Sequence, residues 1–397
     1  MKKPLRICLM MQGGRGWIGG TEYIKNITFA LGSLPADVRS TFEVCLLCNK
    51  SLESSLYNQI QPLLDSIYYQ EVDLQPLTPP NRIYWKLRQI LLKQYNSRID
   101  AFLKKANIDF VYPYVTQNRR YTPARSAVWI ADFQYKYLPH LFSEQEIRNQ
   151  DKGLALIAKY SSTVILSSKT AEADFQKFCP EAAHKSQVLS FRTIPSPSWY
   201  DSDTVETQHK YSLSDRFFLV SNQFWKHKNH LVIFQALKLL QEQSIYPIVV
   251  CTGHLYDNRQ PDYSDTILQT IHKLGIAQQV HLLGLIPRSD QIQLMRRSLA
   301  VIQPSLFEGW STIVEDARAL GKRMILSDFP VHLEQNPPQS IFFDGNSPES
   351  LAPLLAEWWE QLSPGPNLEQ EALARTNNIE QVQAFGYRFL EIAKTSA

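Results

Sequence analysis

No apolar run in the 397 residues approaches the roughly 18 that a membrane-spanning helix needs. Five cysteines, at positions 8, 45, 48, 179 and 251, are too few and too scattered for a disulfide framework. Cys45 and Cys48 make a single CxxC with no second pair to complete a zinc site. They sit in an apolar run that reads as a buried strand, where positions three apart point to opposite faces. The nine histidines form no ligand-spaced cluster beyond His227 and His230, so no metal site is expected. The opening "MKKPLRICLMMQGG" has a positive end and a short apolar run but no small-residue cleavage site, and it reads as a first β-strand rather than a signal peptide. A protein that stays in the cytoplasm is the expectation.

What is present is ordinary globular composition, 44% hydrophobic with a net charge of +3, at a length that suits two or three domains. Charge is uneven. Residues 1–195 carry 25 Lys+Arg against 16 Asp+Glu, net +9, and the remainder carries 16 against 22, net −6, which sum to the +3 of the chain. A basic part joined to an acidic part suggests domains with different partners. Apolar runs at 6–11, 43–48, 109–115, 126–132 and 162–168 read as strands, with helical patterns between them at 21–32, 82–105 and 144–160. The stretch 191–215 is rich in Pro, Ser, Thr and Asp and reads as an interdomain connection. A second alternating set follows, with strands at 217–222, 247–253, 280–285, 300–305, 323–328 and 340–344. Its helices read at 229–243, 264–274, 289–297 and 312–320. Short apolar strands separated by helices predict an α/β fold of two parallel sheets covered on both faces. Such sheets bind ligands beyond the C-terminal ends of their strands.

Three motifs fall at strand ends. Gly14-Arg-Gly16-Trp-Ile-Gly19 follows strand one and opens a helix in the pattern of a dinucleotide fingerprint. A ribose-binding acid should then follow strand two, but Asn49 and Lys50 stand there. Close approach to a phosphate fits better than NAD, and a plain tight turn is the bland alternative. "SNQFWKHKNH" (221–230) crowds Lys226, Lys228 and His230 at a helix start, against the macrodipole unless an anion binds. "PSLFEGWSTIVEDARALGK" (304–322) places Glu308 in a Gly turn and Glu315 in a helix. Glu315 lies at capping-box distance from Thr312, which is its purely structural explanation. Glu308 has no such explanation. Carboxylates accept paired hydrogen bonds from vicinal hydroxyls, so a sugar or ribose suits both positions.

Residues 217–345 resemble the C-terminal half of a retaining GT-B-fold glycosyltransferase of family 4. The resemblance rests on "QFWKHKN", "HLLGLIPRSDQIQLMRRS" and above all the Glu-x6-Glu pair of "PSLFEGWSTIVEDARALGK". Paired Gly19 and Gly20 resemble the family's N-terminal donor-facing loop. The resemblance implies two Rossmann-like domains facing across a cleft. Residues 1–195 would form the acceptor-side domain and 196–375 the nucleotide-sugar domain, with a terminal helix at 376–397 crossing back to the first. It also implies that Glu315 holds the ribose, Glu308 the donor sugar, and Lys228 the leaving diphosphate. Gly309, Trp310, Ser311 and Thr312 would meet phosphate or sugar oxygens, and the main chain near Leu285 and Ile286 the base. Gln223 and Gly253 complete the donor set, and Asp132 is the candidate on the acceptor side. The chain departs from the family's pattern at Gln223, at Ala131 before Asp132, and at Trp310-Ser311.

The expectation is therefore a retaining, metal-independent glycosyltransferase without cofactor. It would move a sugar from a nucleoside diphosphate to a glycan or lipid-linked acceptor, in surface polysaccharide synthesis, with no nucleic-acid partner. A nucleotide-sugar epimerase and a non-catalytic nucleotide-sugar-binding protein are the alternatives. Asp201-Ser-Asp203 has the DxD pattern of metal-dependent sugar transferases but follows no strand, so it reads as solvated loop acids. The stretch 82–105 carries basic residues with apolar ones at helical spacing. It reads either as a solvated surface helix or as a peripheral contact with anionic lipid on the inner face of the plasma membrane.

Overall fold

A computed structural model of the protein describes residues 3–14, 18–50, 57–74, 81–84, 86, 97–116, 122, 124–257 and 259–396. The chain divides into two compact units. The first comprises Met1–Phe133, Glu144–Ile194 and Glu380–Ala397, and the second Gln134–Ser143 and Pro195–Ile379.

In the first unit, strands β1 (Leu5–Met10), β2 (Phe42–Cys48), β3 (Ser66–Tyr69), β4 (Phe110–Tyr112) and β5 (Arg125–Ser126) form a sheet in the order β3-β2-β1-β4-β5. A second sheet joins β6 (Val128–Ile130), β7 (Val164–Leu166) and β8 (Ser186–Val188). All pairings are parallel. The run expected at 126–132 is thus one extended stretch serving two sheets. Its first part pairs with β4, Ala127 accepts from Tyr114 N–H, and its second part pairs with β7. The strand expected at 109–115 ends at Tyr112, before Pro113, which has no N–H to continue a ladder. β1 and β2 are buried on both faces. Cys8, Cys45, Leu47 and Val111 share one cluster with Phe102 and Leu103, while Cys48 has the opposite parity. On the other side Phe389 sets its ring edge against Tyr112 at 5.2 Å. Helix α1 (Ile18–Gly32) follows β1, and its Tyr23 stacks on Trp129 of β6 at 3.9 Å. Of the basic stretch expected as a helix at 82–105, residues 97–105 form α2 (Ser97–Lys105), and residues 85 and 87–96 lie outside the described residues.

The second unit holds β9 (Phe218–Ser221), β10 (Val249–Thr252), β11 (Val280–Gly284), β12 (Val301–Gln303), β13 (Met324–Ser327) and β14 (Ser340–Phe343) in the order β11-β10-β9-β12-β13-β14. Every strand is parallel to its neighbours. Alternate residues enter different cores. Phe218, Val220, Val249, Cys251 and Ile302 join one cluster, and Phe217, Leu219, Val250 and Val301 the other. That alternation shows a sheet buried on both faces, which is why its strands read as continuous apolar runs. Helices α3 (His230–Glu242), α4 (Tyr263–Leu274), α5 (Arg288–Arg297) and α6 (Thr312–Ala319) follow β9, β10, β11 and β12.

The stretch expected as an aperiodic connection contains two short helices, Ser198–Asp201 and Thr204–Lys210. Asp203 caps the second by accepting from Val205 N–H and Glu206 N–H, so this carboxylate of the DxD pattern has a structural task. Arg296 of α5 fastens the same stretch. It donates to Trp199 O and Ser202 O and forms a two-point pair with Glu371 at 2.8 and 3.0 Å. Both side chains are buried. Glu371→Ala should therefore lower stability by about 3–5 kcal/mol, because it leaves a buried guanidinium unpaired. Urea unfolding of the variant checks this, and a loss of under about 1 kcal/mol, the worth of an exposed pair, would show that Arg296 is not dependent on Glu371.

Candidate donor site at the sheet switch point

The order of the second sheet reverses between β9 and β12, where the two following chains leave to opposite sides, the place at which such sheets bind ligands. The loop after β9 carries Lys228, and the loop after β12 carries Glu308. Their side chains meet, with Lys228 Nζ donating to Glu308 Oε1 at 2.6 Å. Sequence neighbours of the lysine pin the contact. Leu306 N–H donates to His227 O at 2.8 Å, and Asn229 Nδ2 donates to Pro304 O and Gly345 O. Asn229 can do this because it adopts the left-handed conformation (φ 56°), which asparagine tolerates better than most residues.

Gln303, the last residue of β12, points into this arrangement. Its Nε2 donates to Glu308 Oε1 at 2.8 Å and reaches Ser305 Oγ and Ser311 Oγ at 3.2 Å. Its Oε1 accepts from Asn222 Nδ2 at 2.7 Å. Both donors thus converge on one oxygen of Glu308, and among the described residues Oε2 has no partner. Glu308 keeps only 10% of its side-chain surface exposed. Burial alone would raise its pKa, but Lys228, with help from His332 and His227, holds it at about 2.

Glu315 is 1% exposed and sits differently. Ser311 is the N-cap of α6 and Thr312 its first residue, and no side chain caps the turn. Glu315 is then one position beyond the capping-box place, which corrects the structural explanation drawn from Thr312. It accepts instead from Gln335 Nε2 at 3.0 Å, with Arg318 Nε 3.4 Å from its other oxygen. Gln335 also closes on Ser311, accepting from its N–H and donating to its carbonyl, both at 3.2 Å. The Ser311 N–H expected to meet a ligand is therefore engaged within the protein.

The other expected donor residues fall on the same edge of this unit. Gln223 is half-buried just after β9, Leu285 is 75% exposed after β11 with Ile286 half-buried beside it, and Gly309 is buried while Trp310 and Thr312 are half-buried. Gly253, after β10, has a geometric reason to be glycine. Its φ is +137°, and a Cβ there would lie 2.1 Å from Asn222 O. Gly19, Gly20 and Asp132 belong to the first unit, the glycines in α1 and Asp132 two residues beyond β6. Sequence reasoning missed Gln303, Gln335 and Asn222. A polar amide inside the apolar strand "VIQPS" was the available signal for Gln303.

Three buried histidines surround the pair. Burial, reinforced by Lys228, drops His230 to about 3 and holds His227 well below its ordinary value, and burial drops His332 to about 4. All three are neutral at pH 7. His230 packs flat on Phe224 at 4.1 Å, and neither ring nitrogen finds a partner among the described residues.

Residues 201–372 match the sequence model of the family Glycosyl transferases group 1. No curated protein matches the chain. Among solved structures, the fold is similar to that of Anabaena Alr3699/HepE in complex with UDP and glucose, at 16% identity over 98% of this chain and 100% of that one, with a TM-score of 0.66. It is also similar to a glycosyltransferase from Rickettsia africae, at 15% identity over 99% and 98% of the two chains with a TM-score of 0.65. Sucrose-phosphate synthase from Thermosynechococcus elongatus gives 15% identity, 98% of both chains and a TM-score of 0.65. The fold is the GT-B fold that these glycosyltransferase structures share. The segment that matches the group 1 model carries Lys228, Glu308 and Glu315.

The histidines make the site acid-labile. A histidine whose folded pKa is depressed binds its proton more weakly folded than unfolded, so stability falls as pH drops from about 6.5 toward the folded value. Glu308 acts in the same direction lower down, its contribution being lost as pH falls toward about 2. His230→Leu should flatten the acid limb between pH 6.5 and about 3. The slope it removes is about 1.4 kcal/mol per pH unit at most. Urea unfolding at a series of pH values measures this, and an unchanged slope would remove His230 from the acid response.

Proposed function

We propose that the second unit binds a nucleoside-diphosphate sugar, and that the protein transfers the sugar with retention to a glycan or lipid-linked acceptor in surface polysaccharide synthesis. The observation that carries this reading is the Lys228–Glu308 pair at the switch point of a parallel sheet. In this reading Glu308 turns its unpartnered Oε2 to the sugar hydroxyls. Lys228 has three N–H donors and uses one on Glu308, which leaves two for the departing diphosphate. The ammonium then supplies the charge neutralisation that a metal supplies in other sugar transferases. Glu315 accepts from the ribose hydroxyls, and the main chain after β11 meets the base. The complex of HepE with UDP-glucose supports a nucleotide sugar as the ligand class.

Asp132, Gly19 and Gly20 serve the acceptor and donor-facing sides of the first unit in the same proposal. Contact with anionic lipid through 82–105 would bring a lipid-linked acceptor to a cytoplasmic enzyme.

A thermal-shift panel of UDP, GDP, ADP and dTDP, free and as glucose conjugates, identifies the donor, because a true ligand stabilises by mass action. Turnover is then read as release of diphosphate from the conjugate. Lys228→Ala should lower it by about 10²-fold or more, the scale of losing one preorganised donor. Unchanged kcat and KM would exclude Lys228 from the chemistry. The two glutamates should separate in calorimetry. Glu315→Ala weakens diphosphate and conjugate alike, by roughly ten- to a hundredfold in Kd. Glu308→Ala leaves the bare diphosphate almost unaffected while turnover falls. Equal loss of diphosphate affinity in both variants would sink this division of roles. A protein that binds but releases no diphosphate, even with acceptor present, would be a binding protein instead.

A further inference from the structure

We infer that Gln303 and Gln335 are positioning residues, each orienting one of the two glutamates, and that Ser311 ties the two arrangements together. A carboxylate can only accept, so the carboxamide nitrogen must face it, and the rest of each network fixes that choice. For Gln303 the oxygen is held by Asn222 Nδ2, which leaves Nε2 no direction but Glu308, Ser305 and Ser311. For Gln335 the oxygen accepts from Ser311 N–H, which leaves Nε2 to Glu315 and Ser311 O. Both amides are at least 96% buried, so water does not compete for these bonds.

Ser311 is the shared member. Its hydroxyl accepts from Gln303, and its main chain is bracketed by Gln335. A continuous hydrogen-bonded path therefore runs from Glu308 through Gln303, Ser311 and Gln335 to Glu315. Gln303 and Lys228 both take Oε1 of Glu308 and so direct Oε2 away from the protein network. Arg318 completes the grip from the other side, meeting Glu315 Oε2 and donating to Gln335 O. Two glutamates seven residues apart are in this way held at fixed angles by buried side chains.

The inference rests on the donor-site reading, and its test is arranged so that the two can fail separately. Gln303→Met and Gln335→Met keep the volume and remove the amide. Each should reproduce the variant of its own glutamate. Gln335→Met should weaken the diphosphate chosen by the thermal-shift panel by roughly tenfold. Gln303→Met should leave that Kd within about twofold and lower turnover of the glucose conjugate by about tenfold or more. Added to Glu315→Ala, Gln335→Met should cause no further loss of affinity, and added to Glu308→Ala, Gln303→Met no further loss of turnover. Effects that simply add in these cycles, or a glutamine variant that follows the other glutamate, would overturn the inference.

Gln335→Glu supplies a readout that mere structural support would not move. At neutral pH it sets a second carboxylate against Glu315, and on acidification the new carboxyl regains an O–H donor. Its diphosphate affinity should recover relative to the native protein between pH 7 and 5, and a constant ratio across that range would count against positioning. If the two glutamates do not separate, the donor-site roles are wrong. The positioning inference is then still judged by the two double-mutant cycles, each glutamine with its own glutamate.

Discussion

A carboxylate with a tenth of its side chain exposed stays ionised only if a cation comes with it, and around Glu308 that cation is Lys228. Much of the local structure follows from this one pair. Bringing Nζ to 2.6 Å requires the turn after β9 and the loop after β12 to be stitched together on both sides of the lysine, by His227 O and by Asn229. The same requirement keeps the nearby histidines neutral. A protonated imidazole there would compete for Glu308 or repel Lys228, and burial removes that possibility at neutral pH. Loss of either partner alone would leave a charge in a place built for two.

The sheet supplies the rigidity. Its six strands are packed by apolar clusters on both faces, so the ends of β9 and β12 are fixed relative to each other. Loops that leave such ends can be polar and irregular without losing position, since the strand carries their anchor residues. Gln303 shows the principle, being the final residue of a strand and the first polar contact of the site. Gly253 shows its steric counterpart, where two neighbouring loops approach so closely that no Cβ fits between them.

How much of this could be read beforehand depends on where each residue finds its partner. Strands buried on both faces announce themselves, and β9 to β14 lie within a residue or two of the apolar runs. β3, with the sequence SIYY, and β8, with SQV, were illegible because they are short and half-exposed. The helix Thr204–Lys210 hid in a polar stretch because its stability comes from the Asp203 cap and from packing on α5, not from periodicity. Glu308 and Glu315 were legible as a pair, since a charge in a glycine turn needs a reason. Their orienting glutamines were not, because Gln335 meets Glu315 from twenty residues away, through tertiary contact alone.

The two carboxylates also differ in the kind of cation they keep, and that difference bears on what each can do. Arg318 presents a planar fork that ion-pairs with Glu315 at 3.4 Å and donates to Gln335 O, so that end of the network is the stiffer one. Lys228 is a compact ammonium on a flexible stem with one partner among the described residues, and in the proposed role it shares its charge with an arriving anion without releasing Glu308. In the proposed function, a site that holds a nucleotide steadily while charge develops on its diphosphate would use one grip of each kind. The fixed pair lies within α6, and the adaptable pair bridges the two loops at the switch point, where the reacting end of a bound donor would be placed by the proposed roles. Exchanging the two cations would keep every charge in place and still lose this distinction, because an arginine at 228 would trade the spare, movable donors of the ammonium for a rigid fork.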